Sequence, residues 1–409
     1  MMTIYRDTAL VDTLSDEHAE IIRATLPLVG ANVDTITRTF YDRMFTAQPS
    51  LLRNLFNRGN QAQGAQQRAL AASIATYATH LVDPALPHPA ELLSRIGHKH
   101  ASLGITADQY DIVHEHLFAA IVEVLGADTV TTNVAEAWEA VYWMMARTLI
   151  ELEANLYADA GVAAGDVYRR AMVTRRVDDP SGVVLVSVEA GDDGVTEHSA
   201  AQYISVGVTL PDGARQLRQY SIVNAPGERE TTFAVKPVGA RQGTPAGEVS
   251  NWIADHLAVG DLIDVTVPFG DLPTAGLGSA PVVLISAGVG ITPMIGILEH
   301  LVSTAPRCPV QVLHADESAA SHPLRERQRN LVANLPNATI DIWYSDDDGR
   351  DSHAGFMNLS ELTIDDGADI YLCGNNAFVQ NVRAQLTDRA VATDRIHCEL
   401  FSPNDWLVS

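Results

Sequence analysis

Two hydrophobic periodicities divide this chain. Up to about residue 160, apolar side chains recur every three or four positions, the spacing of a helix with one buried face. Ser15 is placed to cap a helix running towards Pro27, and Ile112, Leu117, Ile121 and Leu125 form a stripe that stops at Gly126. Trp138, Val141, Tyr142, Met145, Leu149, Leu152 and Leu156 form the broad apolar face of another long helix, so this part is expected to be all-α, a packed helical bundle. After Gly165 the texture changes to short β-rich runs between Gly, Pro and Asp turns. They cover Val183–Val188, Gln202–Leu210, Thr232–Val238 and Asp261–Val267, and predict a small antiparallel β-barrel. From Pro281 on, continuous apolar runs at Val282–Ile285, Val310–Leu313, Ile340–Trp343 and Ile370–Leu372 alternate with helical stretches, as buried strands of a parallel α/β sheet do. The expected class is therefore multi-domain, with a helical domain at 12–160, a barrel at 167–274 and an α/β domain at 280–409.

Composition narrows the partners. A net charge of −24 argues against nucleic acid, which needs clustered Lys and Arg. Cys308, Cys373 and Cys398 make neither a disulfide framework nor a paired metal motif, as expected in a reducing cytoplasm. Arg6, Asp7 and Asp12 break any apolar core of a secretory signal near the N-terminus. The stretch Leu272–Leu298 carries no charge and is long enough to span a bilayer, but Pro273, Pro281, Pro293 and its glycines read as loop, buried strand, turn and helix. No stable membrane insertion is expected.

In the C-terminal half, Arg218-Gln219-Tyr220-Ser221 ends a β-rich run and resembles the flavin motif of the ferredoxin-reductase-like superfamily. Alone it reads equally well as an exposed turn after an ordinary strand. The resemblance implies that Arg218 pairs with an FAD phosphate, Tyr220 lies against the isoalloxazine and Ser221 hydrogen-bonds the flavin. Tyr203 upstream is placed to pack on the flavin nucleotide. Downstream, backbone amides of the Gly247-Glu248-Val249-Ser250 helix start are placed to hold the pyrophosphate. Near the C-terminus stands Glu399-Leu400-Phe401-Ser402-Pro403, where the superfamily places an aromatic over the flavin; Phe401 is the candidate. Gly288-Val289-Gly290-Ile291-Thr292-Pro293 follows a predicted strand and opens a helix, the context in which amides and the helix dipole receive a phosphate, here of NAD(P)H. Cys373-Gly374 resembles the strand-end Cys-Gly beside the nicotinamide, although Asn375, Asn376 and Ala377 replace the usual Pro and Gly that follow. Taken by itself, Cys373 reads as a small buried hydrophobe.

The helical half offers Lys99-His100, then Gln109-Tyr110, then Glu153 and Tyr157, with Phe40-Tyr41-Asp42-Arg43-Met44-Phe45 upstream. Together with the reductase motifs in the same order, these resemble the flavohaemoglobin family over nearly the whole chain. The resemblance implies an all-α globin ahead of the FAD barrel and the NAD(P)H-binding sheet, with haem b, FAD and NAD(P)H as cofactors. It makes His100 the proximal iron ligand and Lys99 its tuning neighbour. Tyr110 and Glu153 become the pair that hydrogen-bonds the proximal imidazole. Tyr41 and Gln66 become the distal polar groups, and Leu70 the apolar wall over the iron; Gln61, Gln63 and Gln67 crowd the same region. Glu399 matches a carboxylate between flavin and haem. On a simpler view Glu153 points to water beside Glu151.

A hydride carries two electrons, haem iron accepts one, and flavin converts between them, so the fusion suits a haem that must be re-reduced in every turnover. The activity implied is nitric oxide dioxygenation: nitric oxide and O2 are converted to nitrate with electrons from NAD(P)H. The alternatives are an NAD(P)H oxidase or haem-linked reductase with another acceptor, and a gas sensor whose reductase only resets the iron. The partners implied are small molecules, and the chain is expected to act as a monomer in the cytoplasm.

Overall fold

The computed structural model describes residues 13–62, 64–83, 85–86, 89–191, 197–240, 244–346, 352–365 and 367–401. These group into two compact units. The first ends at Val167 and takes in Pro211–Leu217; the second holds Tyr168–Leu210 and continues from Arg218.

The first unit is helical. Its elements are α1 (Asp16–Ala47), α2 (Pro49–Asn54), α3 (Arg58–Ala62), α4 (Ala65–Val82), α5 (Ser94–Ala101), α6 (Asp108–Leu125) and α7 (Thr132–Asp159), with a 3-10 turn at Pro89–Leu93. Ser15 caps α1, accepting the His18 amide at 3.2 Å. The helix does not stop near Pro27 but runs through it to Ala47. Proline removes one backbone hydrogen bond there. Burial of Ile22, Val29, Ile36, Phe40, Tyr41 and Met44 along the same helix outweighs that loss. Gly126 ends α6 at φ 83°, a conformation open to glycine.

The second unit opens with β1 (Tyr168–Asp178), β2 (Val184–Ala190), β3 (Tyr203–Thr209), β4 (Arg215–Ser221, of which the part from Arg218 groups with this unit) and β5 (Thr231–Val235), then α8 (Glu248–His256) and β6 (Leu262–Thr266). The sheet order is β4-β3-β6-β1-β2-β5, and its edges meet at an antiparallel bridge between Ile222 and Phe233. That bridge closes the barrel around Val186, Ile204, Val206, Phe233 and Val265.

The rest is β7 (Val282–Ala287), α9 (Ile291–Thr304), β8 (Val310–Asp316), α10 (Arg325–Ala333), β9 (Ala338–Tyr344), β10 (His353–Ala354), β11 (Asp369–Gly374), α11 (Asn376–Asp388) and β12 (Ile396–Leu400). The six strands are parallel in the order β10-β9-β8-β7-β11-β12. Strand order reverses between β7 and β11, and the crevice at the carboxyl ends of such strands is where α/β sheets take ligands. Barrel and sheet share a core: Val183, Val223 and Ala234 cluster with Leu284, Ile295 and Leu298. Gly296 makes this approach possible, because a Cβ there would come within 2.7 Å of the Ile222 carbonyl oxygen. Among the described residues no helix is long and apolar enough to cross a membrane; Leu272–Leu298 resolves into loop, β7, the glycine turn and α9.

Candidate functional site

The helical unit builds its site on a histidine whose ring is held by two other helices. His100, in the last turn of α5, places Nδ1 2.9 Å from Glu153 Oε1 on α7 and 3.0 Å from the Tyr110 hydroxyl on α6. Tyr110 donates to the same Glu153 oxygen at 2.5 Å. Glu153 is 2% exposed, so it is inside and not beside Glu151 in water. Burial, then the Glu153 charge, pushes the Tyr110 phenol far above its ordinary pKa, which keeps it a donor. Both contacts of the His100 ring run through Nδ1, which leaves Nε2 as the ring nitrogen outside this network. Among the described residues Nε2 has no hydrogen-bond partner, and no group of three or more metal-binding side chains occurs. A ring nitrogen left over in this way would serve as one protein ligand to a metal.

Local packing sets this geometry. Gly97, one turn before His100, lies against Leu152, and a Cβ there would overlap its side chain. The Tyr142 hydroxyl donates to the Tyr110 carbonyl and the Tyr157 hydroxyl to the Ile105 carbonyl, both at 2.6 Å, which fixes α7 against the start of α6 and the turn before it. Lys99 is exposed beside His100.

Tyr41 is 4% exposed on α1, its ring 5.6 Å from Phe45 and 5.9 Å from Phe56. Burial raises its pKa, against the opposing effect of hydrogen bonds with Gln66 and Gln61. Gln66 and Leu70 sit one turn apart on α4, and Leu70 packs on the helical core. Gln61, which the sequence reading left in the crowd, thus shares Tyr41 with Gln66; its own oxygen accepts from Gln67 at 2.9 Å. Gln63 lies outside the described residues.

In the second unit the flavin-motif residues end β4. Arg218, Gln219 and Tyr220 are half-buried and Ser221 is buried. The Gln219 amide donates to Ser205 Oγ at 2.9 Å, and the Tyr220 ring stacks on Phe233 with centroids 5.5 Å apart. Burial drives the Tyr220 phenol well above its usual pKa. Tyr203, 9% exposed, begins β3. At the start of α8 no side chain caps the helix. Val249 is wholly buried, and Ser250 Oγ accepts from the Val238 amide at 3.3 Å.

The glycine turn follows β7 directly. Gly288 has φ 53°, and a Cβ there would stand 4.0 Å from both Lys236 Nζ and Asp316 Oδ2, in open space. Gly290 also has a packing reason to be glycine: a Cβ there would come within 2.5 Å of the Cys373 carbonyl oxygen at the end of β11. It thereby lets the two strands of the crevice come together. Ile291, Thr292 and Pro293 are buried, Thr292 Oγ1 donates to the Val289 carbonyl at 3.0 Å, and the backbone is what this stretch presents. Cys373 is buried and pairs with Glu399 across β11 and β12. Gly374 is pressed against Phe378 and Ala287. Asn375 keeps the turn where the family has proline: its φ of −70° is a proline value, and its side chain caps α11 by accepting the Phe378 amide at 3.0 Å. Glu399 is 7% and Leu400 9% exposed, whereas Phe401 is 47% exposed; Ser402 and Pro403 lie outside the described residues.

Known proteins match this arrangement along its length. The globin family matches residues 38–149 and the oxidoreductase NAD-binding domain residues 284–384. The flavohemoprotein of Bordetella parapertussis is 38% identical over 403 residues, 95% of this chain and 98% of its own. The chain belongs to the flavohaemoprotein family. The Vibrio cholerae flavohemoprotein is 37% identical over 97% of this chain and all of its own length. A flavohemoglobin from Malassezia yamatoensis, solved with bound FAD and heme, superposes with a TM-score of 0.88 at 34% identity, over 95% of this chain and 100% of that one.

Within this flavohaemoprotein, sequence reasoning passed over Gly97, Lys236 and Asp316. A glycine one turn before His100, a lysine leaving β5 and a carboxylate ending β8 were signals in view, but each acquires meaning only from what folds against it.

Proposed function

We propose that the protein is a nitric oxide dioxygenase, oxidising nitric oxide to nitrate with O2 and electrons from NAD(P)H. The observation that carries this reading is the His100–Tyr110–Glu153 network, a buried carboxylate and phenol converging on one imidazole nitrogen. When bound, haem supplies a redox-active iron and FAD a relay that converts the hydride pair of NAD(P)H into single electrons. His100 offers Nε2 to the iron, and the carboxylate on Nδ1 makes the imidazole more electron-releasing, which favours oxygen chemistry over storage. Tyr41, oriented by Gln66 and Gln61, would provide a hydroxyl donor to the haem pocket, with Leu70 as an apolar wall of it. Lys99 adjusts the proximal side, and Glu399 supplies a carboxylate beside Cys373.

In the reductase unit, Arg218 and the α8 amides of Val249 and Ser250 hold the FAD phosphates, and Tyr203, Gln219, Tyr220 and Ser221 hold the flavin. Phe401, with Leu400, would cover the flavin where the nicotinamide enters. The turn Gly288–Pro293, with Lys236, takes the dinucleotide phosphates, and Cys373 and Gly374 line the nicotinamide end. Support also comes from the solved FAD/NAD-binding part of a protein titled nitric oxide dioxygenase from Vibrio cholerae, 34% identical over 57% of this chain with a TM-score of 0.52.

The test is direct. Holoenzyme reduced anaerobically with NADH, then given O2 and nitric oxide, is expected to form nitrate in proportion to NADH consumed. NADH consumption with peroxide and no nitrate would instead indicate an oxidase.

A further inference from the structure

The start of β4 folds with the helical unit, and one of its side chains is buried there. Pro211–Leu217 belongs to that unit, and Gln216, the second residue of β4, is 1% exposed. Its Nε2 lies 3.0 Å from the Arg53 carbonyl oxygen and 3.3 Å from those of Leu52 and Phe56, and its Oε1 faces the Arg58 amide at 3.4 Å. Carbonyls in the last turn of a helix have no partner within the helix. Leu52 and Arg53 stand in the last turn of α2, and Gln216 supplies a donor to both. Around this contact Asp212 pairs with Arg58 at 2.5 Å, Arg53 Nη2 donates to the Asp212 carbonyl at 3.0 Å, and the Arg215 amide donates to Asn54 Oδ1 at 3.4 Å.

The segment held in this way is weak by itself. α2 has six residues and α3 five, too short to persist alone, and neither contains a fully buried residue. Between them, Asn57 Oδ1 accepts the Gly59 and Asn60 amides at 3.0 and 3.2 Å, which turns the chain into α3. Both halves of the segment meet Tyr41. The Phe56 ring stands edge-on to the Tyr41 ring with centroids 5.9 Å apart and packs on Phe45 at 5.2 Å. Gln61, on α3, hydrogen-bonds the Tyr41 hydroxyl. An aromatic edge and an amide thus set the ring and the hydroxyl of Tyr41, and Gln216 anchors the backbone that carries both.

We propose that Gln216 is a positioning residue for Tyr41: by holding the segment from α2 to α3 it fixes Phe56 and Gln61 against Tyr41, and so directs the Tyr41 hydroxyl. The inference rests on reading Tyr41 as the hydroxyl donor of the haem pocket. Gln216 stands two residues before Arg218, so the strand that carries the flavin motif also carries the support of Tyr41.

Infrared spectra of the haem-loaded, ferrous holoenzyme with carbon monoxide test it, because the C–O stretch shifts when a nearby hydroxyl donates to this probe. Gln216→Met keeps the length of the side chain and loses the donor; Gln216→Glu keeps its shape and turns acceptors towards three carbonyls. In both, the band is expected to broaden and to move towards the position given by Tyr41→Phe, further in Gln216→Glu. The iron–histidine stretch of the ferrous protein without carbon monoxide should stay at its wild-type value. In the Tyr41→Phe background neither substitution should add a further shift, the non-additivity of residues acting through one another. An unmoved band in a folded Gln216 variant, an equal shift with and without Tyr41, or an iron–histidine stretch displaced along with the band would each overturn the proposal. A band that Tyr41→Phe itself leaves in place would remove Tyr41 as the donor and the proposal with it, whereas a band moved by Tyr41→Phe and by neither Gln216 variant overturns the proposal alone.

Discussion

Gly97 lies so close beneath Leu152 that a single added methyl would overlap the leucine side chain. This contact sets how near α5 comes to α7, and so whether His100 reaches Glu153. Gly97→Ala is expected to destabilise the helical unit by about 1–3 kcal/mol through overpacking. It should also lower the iron–histidine stretching frequency in resonance Raman spectra of reduced, haem-loaded protein. Loss of stability with an unaltered stretch would mean the helices adjust without moving the imidazole.

Glu153→Gln replaces the carboxylate shared by His100 and Tyr110 while keeping the shape. Haem should stay bound, and nitrate formation should fall by about 10–100-fold, the scale of lost outer-shell partners at metal sites. Flavin bleaching by NADH should not change, because Glu153 lies in the helical unit. Stopped-flow absorbance separates the two events.

The two glycines of the turn should behave differently. At Gly290 a Cβ meets the Cys373 backbone, so Gly290→Ala is expected to lower the melting temperature of the reductase unit and to lose dinucleotide binding as a consequence. At Gly288 there is room, and the penalty is the φ of 53°, about 1–2 kcal/mol for a left-handed residue. Gly288→Ala should therefore remain folded at ambient temperature. Thermal melts followed by flavin fluorescence distinguish the pair; equal destabilisation would contradict the packing described.

Acid should loosen the reductase unit early. His314 and His322 are buried and neutral, with folded pKa values below the ordinary 6.5, so the unfolded chain binds more protons once the pH drops beneath that value. Stability is fully present above about pH 6.5 and falls as the pH is lowered, by up to about 1.4 kcal/mol per pH unit for each histidine. His322→Gln should be less stable at pH 7.5, having lost the 2.8 Å contact of Nδ1 with the Tyr344 hydroxyl. It should also show a shallower decline between pH 6.5 and 4. Denaturant titrations across that range measure the slope; an unchanged slope would show that His322 is not the group protonated on unfolding.

The fold class could be read from the chain because it rests on local rules. Helical spacing marked α6 and α7, unbroken apolar runs marked β7, β8, β9 and β11, and the glycines marked the turn between β7 and α9. Local rules misjudged α1, because the loss at Pro27 is local whereas the burial that outweighs it comes from other helices. They passed over β12, whose partner Cys373-Gly374 lies more than twenty residues earlier in the chain. The types and order of His100, Tyr110 and Glu153 were visible in one dimension. That one carboxylate oxygen receives both other groups was decided by the close packing of α5, α6 and α7, since a hydrogen bond depends on distances of a few tenths of an ångström. In the same way the chain shows an aspartate at 316, but only the fold buries one of its oxygens beside Gly288 with nothing to donate to it.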